Sequence, residues 1–81
     1  MNSVNNARQE VQAVRRSIDF VVRDEGTIWL FTPLTPAALQ FLSDHIQEDA
    51  QYFGDSLAVE HRYVYDLLLG LREHGLKAVR S

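Results

Sequence analysis

Alternating apolar and polar positions mark two neighbouring strands in the first half of the chain. The segment SIDFVVR (residues 17–23) alternates around β-branched and aromatic side chains, and TIWLFT (residues 27–32) is rich in the same types. Both compositions are typical of strands. Gly26 lies in the Asp-Glu-Gly tripeptide between them and can take a positive φ angle. We therefore predict a hairpin with a three-residue loop, in which Arg23 lies opposite Thr27.

This register assigns a face to every side chain of the hairpin. Phe20 pairs with Leu30, and Val21 pairs with Trp29. Because consecutive side chains of a strand point to opposite faces, Phe20 and Leu30 turn towards the core. Val21, Trp29 and Phe31 are then predicted to share the second face, which is apolar and needs a cover.

Two amphipathic helices are predicted after the hairpin. Thr35-Pro36 is typical of an N-cap followed by proline at the first helical position, and the apolar spacing that follows predicts a helix over residues 36–47. A second stripe predicts a helix over residues 61–74, with Gly75 as its stop. Both helices leave large side chains off their apolar stripes, namely Phe41, Tyr65 and Leu69.

Shorter segments complete the predicted fold. Leu57–Val59 follows a turn signal and is predicted as a strand, with one turn of helix as the alternative. Residues 77–79 are predicted as a short edge strand. Residues 48–56 are predicted as a polar connection. The element order predicts an α+β fold: a small two-layer domain in which a β-hairpin and one or two further short strands are packed by two helices.

The N-terminal residues 1–16 form a segment of different composition. Val11, Val14 and Ile18 have the spacing of one helical face, which predicts a short helix over about residues 6–16, and a flexible arm is the alternative. We assign residues 17–81 to a single α+β domain.

Length and charge restrict the classes of function. A chain of 81 residues without cysteine has neither disulfides nor thiolate metal sites to support a small core, so oligomerisation is a remaining source of stability. The net charge of −3 disfavours a phosphate backbone as the main partner. The sequence has no apolar run of about 18 residues and no signal-peptide pattern, which predicts a cytoplasmic location without membrane insertion.

Two polar clusters are candidates for chemistry. Glu60, His61 and Arg62 are consecutive, so their side chains point in different directions; we expect a helical turn there rather than a catalytic site, and a small enzyme using these residues is the alternative.

His45, Glu48 and Asp49 have the spacing of one helical face. A metal site would need His61 or His74 to arrive from elsewhere in the chain, so we predict no metal and no cofactor.

Several short segments resemble a group of small uncharacterised bacterial proteins. The matching pieces are LTPAA (residues 34–38), YFG (residues 52–54), VEHRY (residues 59–63), Gly70 and the Gly75-Leu76 pair. The resemblance implies a small bacterial accessory protein, carried by a mobile element, and transfers no activity, ligand or site residue.

The apolar side chains outside the expected core predict an interaction surface. Tyr and Trp are favoured at interface hot spots because they bury a large area and keep a polar group. We therefore predict a non-enzymatic protein-interaction module, homodimeric and acting by binding a partner protein; an acidic, mobile-element-encoded inhibitor of a host defence or regulatory protein is the alternative. The predicted interface residues are Val21, Trp29, Phe31, Phe41, Tyr65 and Leu69.

Overall fold

The computed structural model describes residues 18–81, in which one mixed sheet and two helices form the predicted α+β fold. The predicted helix over about residues 6–16 lies outside the described residues. The elements, in chain order, are β1 Phe20–Asp24, β2 Ile28–Pro33, α1 Pro36–His45, β3 Tyr52–Phe53, β4 Ser56–Glu60, α2 His61–Glu73 and β5 Ala78–Arg80. Neither α1 nor α2 has the length and apolar character that a bilayer-crossing helix needs.

The sheet is one layer and the two helices form the other. Its strand order is β3-β4-β2-β1-β5, and all neighbours are antiparallel except β1 and β5, which are parallel. One sheet face and the inner sides of both helices enclose a single hydrophobic core. The buried core residues are Phe20, Val22, Phe31, Ala38, Phe41, Leu42, Leu57, Val59, Val64 and Leu71.

The hairpin forms, but its predicted register is wrong. Val22 lies opposite Phe31, and Arg23 lies opposite Leu30 rather than Thr27. The shift of three positions is odd, so it exchanges the two faces of β2 relative to β1. Phe31 therefore shares the core face with Phe20, and their rings meet edge to face with centroids 6.3 Å apart.

A shorter loop accounts for this register. Glu25 donates its backbone N–H to the carbonyl of Ile28, which leaves Gly26 and Thr27 as a two-residue loop. Gly26 has a φ of +94° and Thr27 does not have a positive φ, the combination of signs found in type II′ turns. The Asp24 carboxylate accepts the Gly26 N–H at 2.8 Å and fixes the turn.

Both helix boundaries follow the predicted capping residues. Thr35 is the N-cap of α1, its hydroxyl accepts the Ala38 N–H at 3.1 Å, and Pro36 is the first helical residue. At the end of α2, the N–H groups of Gly75 and Leu76 bond to the carbonyls of Arg72 and Leu71. These two bonds, with a positive φ of 71° at Gly75, form a Schellman motif.

The smaller strands are partly as predicted. The strand over Leu57–Val59 is confirmed as β4, and the C-terminal edge strand is confirmed as β5. β3 was not predicted, because its sequence lies inside the polar connection; it pairs with β4, with Tyr52 opposite Leu57 and Phe53 opposite Ser56. β3 is therefore one edge of the sheet and β5 is the other.

Candidate interaction surface

Two residues predicted at the interface belong to the core instead. Phe31 is fully buried and Phe41 is 7% exposed. Phe31 was misplaced because the prediction used the wrong hairpin register. Phe41 was assigned to the outside of α1, but it packs between the end of α1 and the end of α2, against the rings of His45 and His74. Neither side chain is available to a partner in this fold.

Trp29 also lies on the core side of the sheet, contrary to the prediction. It is half-buried and packs against the edge of the hydrophobic core. The Arg80 guanidinium lies 5.1 Å from the centre of the indole ring, and the His61 ring meets its edge at a centroid distance of 6.1 Å. The indole N–H is buried and has no hydrogen-bond partner among the described residues. Trp29 therefore closes one end of the core.

Val21 lies on the second sheet face, as predicted, but its neighbours there differ. Its cross-strand partners are Thr32 and Val79, and the next row contains Leu30 and Ala58. Within residues 18–81, both helices pack on the opposite face, so this face is open. The residues at its centre are each half-buried, namely Val21, Leu30, Thr32, Ala58 and Val79.

Tyr65 and Leu69 are exposed on the outer side of α2, as predicted. They are separated by one helical turn, and Tyr65 is 70% exposed. Arg62 and Arg72 lie at helical spacing on either side of them, and both are exposed. We call these four residues the α2 patch. An exposed Tyr and Leu between two arginines has the composition of a small contact surface.

A groove between α1 and β3 was missed by the sequence interpretation. The groove is open to solvent and has a volume of about 700 Å³. Its apolar wall consists of Pro33, Leu39, Leu42, Ile46 and Tyr52. Leu39 and Tyr52 are 58% and 45% exposed, so two large side chains present apolar surface to solvent at one concave site. The available signal was the pair of aromatic residues, Tyr52 and Phe53, within an otherwise polar connection.

The groove has an acidic rim. Among its described lining residues, the charged ones are Glu48 and Asp55, and the neutral polar ones are Ser43 and Gln47. An apolar floor with a few polar groups around it is the usual composition of a binding site of this size. The two carboxylates favour a ligand that carries positive charge beside its apolar group.

The candidate catalytic residues do not converge on a substrate position. Arg62 donates its Nε–H to the Glu60 carboxylate at 2.9 Å, and both side chains are exposed. His61 points to the Trp29 ring instead of to Glu60. The adjacent depression also contains Gly26, Thr27 and Ile28, which add neither an acid nor a base.

The candidate metal ligands do not form a cluster either. In the part of the chain that the structure describes, no three His, Cys, Asp or Glu side chains are placed to hold one metal ion, so His45, Glu48 and Asp49 do not form a three-ligand cluster. His74 does reach His45, with a ring-centroid distance of 4.7 Å.

Comparison with known proteins identifies no relative from which a site could be transferred. No protein family, curated protein or solved structure matches this chain.

Proposed function

We propose that this chain is a non-enzymatic protein-interaction module, and that the groove between α1 and β3 is its binding surface. The single observation that supports this function is the concave apolar wall, on which Leu39 and Tyr52 are exposed beside the buried Leu42. Exposed apolar side chains are common on protein surfaces when they are scattered, but a concave site with an apolar wall and a few polar groups is typical of a binding site.

The chemistry of the groove suggests the kind of partner. Its floor accepts an aliphatic or aromatic side chain, and Glu48 and Asp55 at its rim favour Lys or Arg beside that side chain. The net charge of −3 adds a longer-range attraction for basic proteins. The expected ligand is therefore a protein segment with one apolar anchor flanked by basic residues. A role as an acidic inhibitor of a host defence or regulatory protein would use the same surface.

The groove can be tested with a matched pair of leucines. Leu39 and Leu34 are 58% and 53% exposed, but only Leu39 lines the groove. Purified wild type, Leu39→Asp and Leu34→Asp should be immobilised at equal density and incubated with lysate of a bacterial host. We expect a protein that is retained by wild type and by Leu34→Asp and is lost from Leu39→Asp. The proposal fails if Leu39→Asp retains the same proteins as wild type.

Self-association is a second proposal, and it is supported by the α2 patch. A domain of this size gains stability by burying exposed apolar side chains against a second copy. Static light scattering should give a dimer mass for wild type and a monomer mass for the Tyr65→Ser, Leu69→Ser double variant. Because both side chains are exposed, the double variant should keep the monomer's free energy of unfolding within about 1 kcal/mol. The proposed dimer would be excluded if wild type has the mass of a monomer at two protein concentrations that differ 100-fold.

Substitution of the candidate catalytic residues distinguishes the enzymatic alternative from the binding function. It depends on His61 and Arg62, both of which lie outside the groove. The His61→Ala, Arg62→Ala double variant should therefore retain the partner that wild type retains. Loss of a measured biological effect in this variant, with partner binding unchanged, would favour the enzyme.

A further inference from the structure

Two histidines meet where the helices end. His45 is the last residue of α1 and His74 is the C-cap of α2, and their ring centroids are 4.7 Å apart at an interplanar angle of 63°. Both residues are exposed. We propose that His45 and His74 together form a binding site for a divalent transition-metal ion of the zinc type.

The spacing of the two rings suits one shared ion. A zinc–nitrogen bond is about 2.0–2.1 Å, so two imidazoles that bind one ion at roughly 90–110° place their ring centroids roughly 4.6–5.3 Å apart. The separation of 4.7 Å between His45 and His74 lies in this range. The distance between the two rings is therefore compatible with one shared ion.

A backbone hydrogen bond prepares one of the ligands. The Nδ1 atom of His74 lies 2.9 Å from the carbonyl oxygen of Gly70. Since a carbonyl can only accept, Nδ1 carries the hydrogen, and in the neutral ring the lone pair is on Nε2. Metal-binding histidines commonly hold their second nitrogen in this way, because the bond fixes both the tautomer and the ring orientation.

The surrounding charges favour a cation at this point. Each of the two helices ends at one of the histidines, and helix C-termini carry partial negative charge. Asp44 lines the same small cavity of about 220 Å³ as His45 and His74. Its carboxylate accepts a hydrogen bond from the Gln40 amide at 2.8 Å and adds negative charge next to the histidines.

The number of protein ligands defines the kind of binding. No third His, Asp or Glu joins the pair among residues 18–81, so water completes the coordination. Imidazole nitrogen suits Zn²⁺, Ni²⁺ and Cu²⁺, whereas Mg²⁺ prefers oxygen ligands. The competing explanation is that Phe41, His45 and His74 simply form an aromatic cluster, and such a cluster would not respond to metal.

Zinc titration of the untagged full-length chain tests the site. The chain has three histidines and no cysteine, so His61 provides a matched control outside the pair. Calorimetric titration with ZnCl₂ should show saturable binding of one ion to wild type and to His61→Gln, and none to His45→Gln or His74→Gln. In thermal unfolding followed by circular dichroism, zinc should raise the melting temperature of wild type and of His61→Gln, and should not change that of His45→Gln or His74→Gln. At free zinc of 100 times the dissociation constant, the folded-to-unfolded ratio should rise about 100-fold, and EDTA should reverse the change.

NMR of the wild type tests the site without variants, which could fail to fold. The imidazole resonances of His45 and His74 should shift or broaden together on addition of Zn²⁺, while those of His61 stay in place, and Mg²⁺ should have no effect. Absence of saturable zinc binding by folded wild type would overturn the site. Binding that survives either His45→Gln or His74→Gln, or a response centred on His61, would also overturn it.

Discussion

The hydroxyl of Thr35 donates a 2.6 Å hydrogen bond to Oδ1 of Asp19. The other oxygen of this buried carboxylate accepts the backbone N–H of Lys77 at 2.8 Å. Thr35 also caps α1 by accepting the Ala38 N–H. The Asp19 side chain, immediately before β1, thus connects the beginning of α1 with the segment just before β5. These two segments are distant in sequence.

Removing the Thr35 hydroxyl should destabilise the fold. Thr35→Val loses the cap of α1 and leaves Oδ1 of the buried Asp19 without its donor, and these effects together should cost about 2–3 kcal/mol of unfolding free energy. Thr35→Ser keeps the hydroxyl and should stay within about 1 kcal/mol of wild type. Urea unfolding of the two variants checks this, and equal midpoints would show that the hydroxyl is not structurally important.

The hairpin register can be tested by truncating two adjacent residues of β2. Phe31 is fully buried, so Phe31→Ala should cost about 3–5 kcal/mol. Leu30 is half-buried on the open sheet face, so Leu30→Ala should cost about 1 kcal/mol. The register predicted from sequence gives the opposite order, since it turns Leu30 to the core. A larger loss for Leu30→Ala in urea unfolding would therefore contradict the structure.

The two glycines near the end of α2 should respond to alanine in opposite directions. Gly70 is helical, and a Cβ added there would meet only the Phe41 ring at 3.9 Å, an ordinary contact. Gly70→Ala should therefore stabilise the protein by about 0.5–1 kcal/mol through helix propensity. Gly75 has a φ of +71° in the Schellman motif, and Gly75→Ala should destabilise it by about 1 kcal/mol. The melting temperature of each variant should be compared with that of wild type. If both rise or both fall, the assignment of the helix end is wrong.

The start of α1 and the end of α2 were predictable because their signals are local. Thr35-Pro36 and Gly75-Leu76 each specify a helix boundary through bonds to residues within one turn. The same holds for the turn signal before β4. No long-range contact is needed to interpret such patterns, and the structure has each of them where the sequence places it.

The hairpin faces were not predictable in the same way. Gly26 is compatible with the third position of a three-residue loop and with the first position of a two-residue loop, and the choice moves the register by an odd number of residues. Since β2 is apolar at consecutive positions, its pattern does not say which side is buried. Packing of Phe31 against Phe20 under the helices decides it.

The groove and the histidine pair could not be found from spacing because they join separate elements. Leu39 and Tyr52 line the same groove because β3 pairs with β4, which places the connection after α1 along the sheet edge. His45 and His74 meet only because both helices end at the same place in the fold. Neither relationship leaves a short motif in the chain.

Cross-linking from inside the groove tests the proposed function most directly. The chain lacks cysteine, so a photoreactive group can be attached at a single position in Ser43→Cys, on the groove wall, or in Thr27→Cys, in the hairpin loop at the far end of β2. Both residues are exposed, so neither substitution should disturb the core. The proposed function predicts a covalent adduct with a partner protein from Ser43→Cys and not from Thr27→Cys. Equal adducts from both positions, or none from Ser43→Cys, would contradict it.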